Sequence, residues 1–322
     1  MIQDSWETEP SSFAETVQLV ENFVKGEIIR ETKEKQLYYH TIDHALAVKR
    51  RANIIFKAIK PTLSTSQLLI ELNRLEYLIG LSAIAHDMVQ QFSLSPEIKI
   101  PRKRIAGISE IATANKLIEY INNLNQALLD RQLDSDILFT DWDIATIKDA
   151  ILATICDRDP QAGKTAYSFS PYSIYQPYLY DSQAKNSIVG RIIALADLGT
   201  LGIEGVEQYI KEGILVFLED NLDLKDLILN CDLSSSSVNE STRLRLLNMA
   251  RFIVNLARER QARFELEIAG FAPQARQILR ERVFIYLDKE NIHKIQARVP
   301  TEDNTSLAEL VDFFCLNKNF DV

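Results

Sequence analysis

The sequence predicts an all-α protein, and three observations carry that expectation. Glycine and proline are sparse, 10 and 9 among 322 residues, whereas Leu, Ile, Ala, Glu, Lys and Arg, which favour helix intrinsically, dominate. Apolar residues recur at helical spacing. Helix start and stop signals punctuate the chain. An apolar fraction of 46% suffices for a substantial core in one large domain or two, and almost no strand is expected.

The elements follow in order. Ser12-x-x-Glu15 is a capping-box pattern ahead of Val17, Leu19, Val20, Phe23 and Val24, whose spacing paints one helical face. This first helix should end near Arg30. A second runs from about Tyr38 through Ala45, Val48, Ala52, Ile55 and Ile59 until Pro61 stops it. Ser64-x-x-Gln67 opens a third, whose last turns through Leu78, Ile79, Ala83 and Ala85 are nearly all apolar and lead to His86-Asp87. Such a helix is expected at the centre of the fold, and its polar end needs a partner.

Two more helices are predicted over 109–122 and 142–156. Residues 157–181 then break the pattern with Pro160, Gly163, Pro171 and Pro177, interleaved with Tyr167, Tyr172, Tyr175, Tyr178 and Tyr180. A loop this long is uncommon unless functional or disordered, and its tyrosines read either as a lid over a pocket or as a packed surface crossing. Helix resumes over 183–198 and 204–217. Beyond the serines at 234–237 a long amphipathic segment reaches Ala269, closed by Gly270 as a C-cap glycine and by Pro273. The serine run is the best candidate boundary. It divides the chain into 1–233 and a helical extension, 234–322, expected to pack on the same body.

The formal charge of −9, with basic residues scattered, argues against bulk nucleic-acid binding, although a small anion could be held by a local cationic pocket. Cys156, Cys231 and Cys315 are odd in number and far apart, which fits neither a disulfide framework nor a zinc knuckle. No apolar run reaches the about 18 residues of a membrane span, so a cytoplasmic protein is expected. Self-association into a homo-oligomer is left open.

Three of the four histidines fall in two short phrases, Tyr39-His40-Thr41-Ile42-Asp43-His44 and Ala83-Ile84-Ala85-His86-Asp87, and a third phrase places Asp197 in the apolar run from Ile192 to Leu198. Imidazole nitrogens and carboxylate oxygens both suit a borderline-hard divalent cation. His40 and His44, four apart, should share a helix face roughly 6 Å apart along its axis, although each could equally be a hydrogen-bonded helix-start residue. Buried carboxylates at Asp87 and Asp197 need a cation or strong donors. Arg191 could serve Asp197, but it leaves His86 beside Asp87 unexplained.

The ordered set, His44, then His86-Asp87, then Asp197, resembles the HD-domain superfamily of metal-dependent phosphohydrolases over residues 38–202. The resemblance implies an HD-domain-like helical bundle in which His44, His86, Asp87 and Asp197 ligate a divalent metal ion, with Mn, Mg, Zn, Fe and Ni not distinguished. The phrase Tyr39-His40-x-x-x-His44 also resembles cyclic-nucleotide phosphodiesterases, which implies a proton-donor role for His40. Ser109-Glu110 and the run from Asp197 to Gly202 echo the same family. Gln90 stands where many relatives carry lysine, and further histidines for a second metal are missing, which favours one ion unless Glu110 and water complete another.

The function implied is a metal-dependent phosphohydrolase acting on a small phosphorylated compound, for example a nucleotide or cyclic nucleotide. Asp87 or Asp197 would orient the attacking water. Arg158, Lys164, Lys185 and Arg191 are the candidate substrate contacts, each readable also as a solvated surface charge. The alternative is a non-catalytic regulatory module that keeps the helical body and binds a partner.

Overall fold

The computed structural model describes residues 9–63, 69–93, 102–159, 173–181, 186–229 and 236–316. The fold is all-α. Helix α1 (Phe13–Lys35) is capped by Ser12, whose hydroxyl accepts from the Glu15 N–H. It is followed by α2 (Ile42–Leu63), α3 (Leu69–Ala85), α4 (Ile108–Asp130) and α5 (Asp141–Leu152). Two-residue strands β1 (Asp157–Arg158) and β2 (Ile174–Tyr175) pair antiparallel, and a single turn, α6 (Pro177–Tyr180), leads to α7 (Ile188–Asp197). Then come α8 (Thr200–Glu204), α9 (Val206–Asp220), α10 (Leu222–Leu229) and the long α11 (Ser236–Glu267). Helix α12 (Pro273–Ile278) runs into a π-helical turn (Leu279–Val283), and α13 (Lys289–Arg298) and α14 (Leu307–Phe313) complete the described chain.

The apolar character of α3 on all sides has a direct cause in packing. Ile79 and Ala83 face a central core with Val48, Ile55 and Phe56 of α2 and Ile192, Ile193 and Leu195 of α7. Leu78, Leu81 and Ile84 face a second core with Val20 and Val24 of α1, Leu117 and Ile121 of α4, and Ile147 and Ile151 of α5. Each such fully buried side chain contributes roughly 1.5–3 kcal/mol. A bidentate pair, Arg74 Nε to Asp143 Oδ1 at 2.8 Å and Nη2 to Oδ2 at 2.6 Å, ties α3 to α5.

The C-terminal helices join these layers. Phe264, Ile268, Phe271, Leu279 and Phe284 belong to the central core itself, while Ile210 and Leu218 of α9 pack with Leu246, Ala250 and Ile253 of α11, Ile295 of α13 and Leu310 of α14. The 233/234 boundary read from the serines lies outside the described residues.

Several boundaries differ from the sequence expectation. Helix α2 starts at Ile42 rather than near Tyr38, and Pro61 sits within its last turn instead of ending it. Pro273 occupies the first turn of α12, where its missing N–H costs nothing. Gly270 is absent from the left-handed residues, and its requirement is steric: a Cβ there would overlap the Arg191 guanidinium. The small face at Asn186, Gly190 and Ala194 is covered by protein, since a Cβ on Gly190 would meet the Tyr178 hydroxyl at 2.6 Å.

Candidate metal centre

Helix packing brings three chain segments to one point. His44 lies in the first turn of α2, His86-Asp87 directly follows α3, and Asp197 closes α7. Because α3 packs against both α2 and α7 in the central core, its C-terminal end meets the start of one and the end of the other. One donor atom from each of His44, His86, Asp87 and Asp197 lies within 4.8 Å of the others.

The spacings suit a shared ion. His86 Nε2 lies 2.9 Å from Asp87 Oδ2 and 3.5 Å from Asp197 Oδ1. His44 Nε2 lies 3.5 Å from Asp87 Oδ2 and 3.8 Å from Asp197 Oδ1. Two donors bound at about 2.1 Å and at right angles to one another stand about 3.0 Å apart, so these separations are of the size a common ion requires. The His86 Nδ1–H donates to the Ala83 carbonyl at 2.8 Å, which fixes the tautomer and leaves Nε2 turned to the carboxylates. Both Nε2 atoms, of His44 and His86, are buried without a hydrogen-bond partner. Buried polar atoms are rarely left so, and a cation between them resolves the anomaly.

The electrostatics agree. Burial lowers the His44 pKa, keeping the imidazole neutral as a ligand must be. Burial would do the same at His86, but the Asp87 and Asp197 carboxylates outweigh it and hold that pKa well above the ordinary value. The His86 nitrogen is therefore a strong site for positive charge, proton or metal. Burial would raise the Asp87 pKa, yet His86 and His40 hold it well below the carboxylate range. Gln176 donates to Asp197 Oδ2 at 2.9 Å and Gln90 to Asp87 Oδ1 at 3.1 Å, so amides orient both carboxylates.

His40 does not share a helix with His44. It lies in the turn before α2, and the cause is Glu219 at the end of α9, whose Oε2 accepts the backbone N–H groups of Tyr38, Tyr39 and His40 at 2.9, 2.8 and 3.0 Å. Those bonds hold the segment as an open turn. Glu219 Oε1 lies 2.5 Å from His40 Nδ1, and Nε2 faces Asp87 Oδ2 at 3.5 Å. Arg104 also pairs with Glu219, reaches Asp220 at 3.0 Å and lies 3.0 Å from His40 Nε2. Burial would raise the Glu219 pKa, but His40 and Arg104 drive it far below the ordinary value.

A cleft of about 860 Å³ opens over these groups. His40, Asp87, Arg104, Glu110 and Asp197 line its polar part, while Phe217, Phe252, Ile253, Leu256 and Leu287 supply an apolar wall. Burial, reinforced by Asp87 and Asp197, raises the Glu110 pKa.

The expected substrate contacts fare differently. Arg158 lines the cleft from β1 and is exposed. Lys164 and Lys185 lie outside the described residues. Arg191 does not line the cleft: it precedes Asp197 by six residues, which turns it about 120° around the helix, and its guanidinium donates to the Asp181 carbonyl at 2.7 Å. Two tyrosines of 157–181 also bond to the protein body, Tyr178 to Asp149 at 2.5 Å and Tyr180 to Glu267 at 3.0 Å. Sequence reasoning missed Lys103, Arg104, Gln176 and Glu219. None belongs to a motif, and only the adjacent acids Glu219-Asp220 at the end of a helix offered a signal.

No known protein family, curated protein or solved structure matches the chain. Among the described residues, no helix is long and apolar enough to cross a membrane.

Proposed function

We propose that the protein is a metal-dependent phosphohydrolase of the HD type acting on a small phosphorylated compound. The observation that carries this reading is the convergence of His44, His86, Asp87 and Asp197, with two imidazole nitrogens buried and unpartnered, beside a cleft that the two carboxylates line. These four residues would hold the ion. A divalent ion bound there would lower the pKa of water and polarise a phosphoryl oxygen.

The chain's own groups supply the rest. Asp87 and Asp197 line the cleft and can orient the water that attacks phosphorus. As the ester P–O bond breaks, the leaving oxygen takes a proton from His40 Nε2, giving an alcohol and phosphate. Glu219 holds the opposite ring nitrogen, so the imidazole presents one fixed edge. Lys103 and Arg104 line the same cleft and offset the negative charge of the transferring group.

The test is a phosphate-release screen of nucleotides and sugar phosphates with Mn, Mg, Zn, Fe and Ni, comparing the natural protein with His40→Ala. Metal-dependent release that falls in the variant supports the reading. Bound metal with no release from any substrate would favour a regulatory module instead.

A further inference from the structure

Arg260 is a buried cation of the cleft that the proposed chemistry leaves unused. Phe252, Leu256 and Arg260 are spaced four apart on α11, so they share a face and span about 12 Å along its axis. With Ile253 they are the residues that α11 contributes to the cleft, and Phe217 packs edge-on against Phe252 at 5.7 Å. Arg260 is only 5% exposed. Its Nη2 lies 3.3 Å from Glu267 Oε2, yet its Nε and Nη1 have no hydrogen-bond partner. Buried donors are rarely left unmet, so these call for an acceptor that enters the cleft.

Five neutral polar side chains around the cleft already bond to the protein itself. The Tyr209 hydroxyl donates to the Ile253 carbonyl at 2.7 Å, Thr154 to the Ile151 carbonyl at 2.8 Å and Thr200 to Glu212 at 2.6 Å. The Ser109 hydroxyl accepts from the Gln91 N–H at 2.9 Å, and Gln90 serves Asp87. A nucleobase edge is read by paired neutral donors and acceptors, and each of these five already serves a protein group. What α11 presents is an apolar face ending in one forked cation.

Resting on the phosphohydrolase reading, we propose that the substrate is two-ended: a phosphate ester at the metal centre, an apolar body along α11, and a remote anionic group paired with Arg260. Arg suits that role because its planar fork matches the geometry of carboxylate and phosphate.

The experiment measures binding of two probes to the Mn-loaded protein by calorimetry: a straight-chain alkylphosphonate, and the same chain ending in a carboxylate. The carboxylate probe should bind about tenfold tighter or more, and the preference should vanish in Arg260→Gln. Equal affinities in the natural protein, or a preference that survives Arg260→Gln, would overturn the proposal. If Arg260→Gln does not fold, Leu256→Trp decides. Both probes weakening about tenfold as indole fills the α11 wall supports the assignment, and undiminished binding rejects it. Phosphate release from a small aryl phosphate is followed separately. Preference without release would keep the two-ended ligand and remove the hydrolase; release without preference would do the reverse.

Discussion

Glu219 uses both carboxylate oxygens for His40, one on its backbone turn and one on its ring. It is a positioning residue, and Glu219→Gln keeps the shape while removing the charge. Turnover should fall about 10–100-fold with metal content unchanged, whereas His40→Ala should cost about 10²–10⁴-fold; metal analysis beside steady-state kinetics checks both. Glu219 also makes stability pH-dependent. Its folded pKa is depressed, so its contribution is present above the ordinary glutamate value of roughly 4.3 and is lost as pH falls towards the folded value. Denaturant titrations should show the gap between the natural protein and Glu219→Gln shrinking below about pH 4. A gap that is constant with pH would contradict this. At this scale the cluster of His44, His86, Asp87 and Asp197 was legible because histidine is rare here and each acid followed an apolar run. Glu219 was not, since it meets His40 across 179 positions and no local pattern encodes such a pairing.

The site exists because the end of α3 is locked between the start of α2 and the end of α7. The bond between α3 and α5 through Arg74 and fully buried Asp143 helps set that position. Asp143→Ala would strand Arg74 and remove one half of the α5 capping box as well, destabilising the fold by about 3 kcal/mol, read as a lower urea midpoint. Gly202 in α8 lies against Phe284, with which any Cβ would collide. Gly202→Val should cost about 1–3 kcal/mol by overpacking, and an unchanged midpoint would show that the contact yields. The centrality of α3 could be read from its apolar faces alone. The start of α2 could not, because Glu219 on α9 overrides local helix propensity there. Arg191 was misplaced because sharing a helix with Asp197 says nothing about sharing a face.

The whole molecule couples its C-terminal helices to the candidate metal centre. Phe264, Ile268 and Phe284 complete the core that also holds α2, α3 and α7, and α11 walls the cleft over Asp87 and Asp197. Calorimetry should therefore record one cooperative unfolding transition, and two separated transitions would count against this coupling. Metal saturation at about 100 times Kd should add about 2.7 kcal/mol of stability, removable by a chelator. The share of the C-terminal helices in the cleft wall was not legible in the sequence, because it depends on tertiary packing between segments far apart in the chain. The most direct measurement is anomalous diffraction from crystals grown with Mn. The account predicts one peak among His44 Nε2, His86 Nε2 and the carboxylates of Asp87 and Asp197, lost in His86→Ala. An ordered site with those four side chains in place and no anomalous density between them would contradict it.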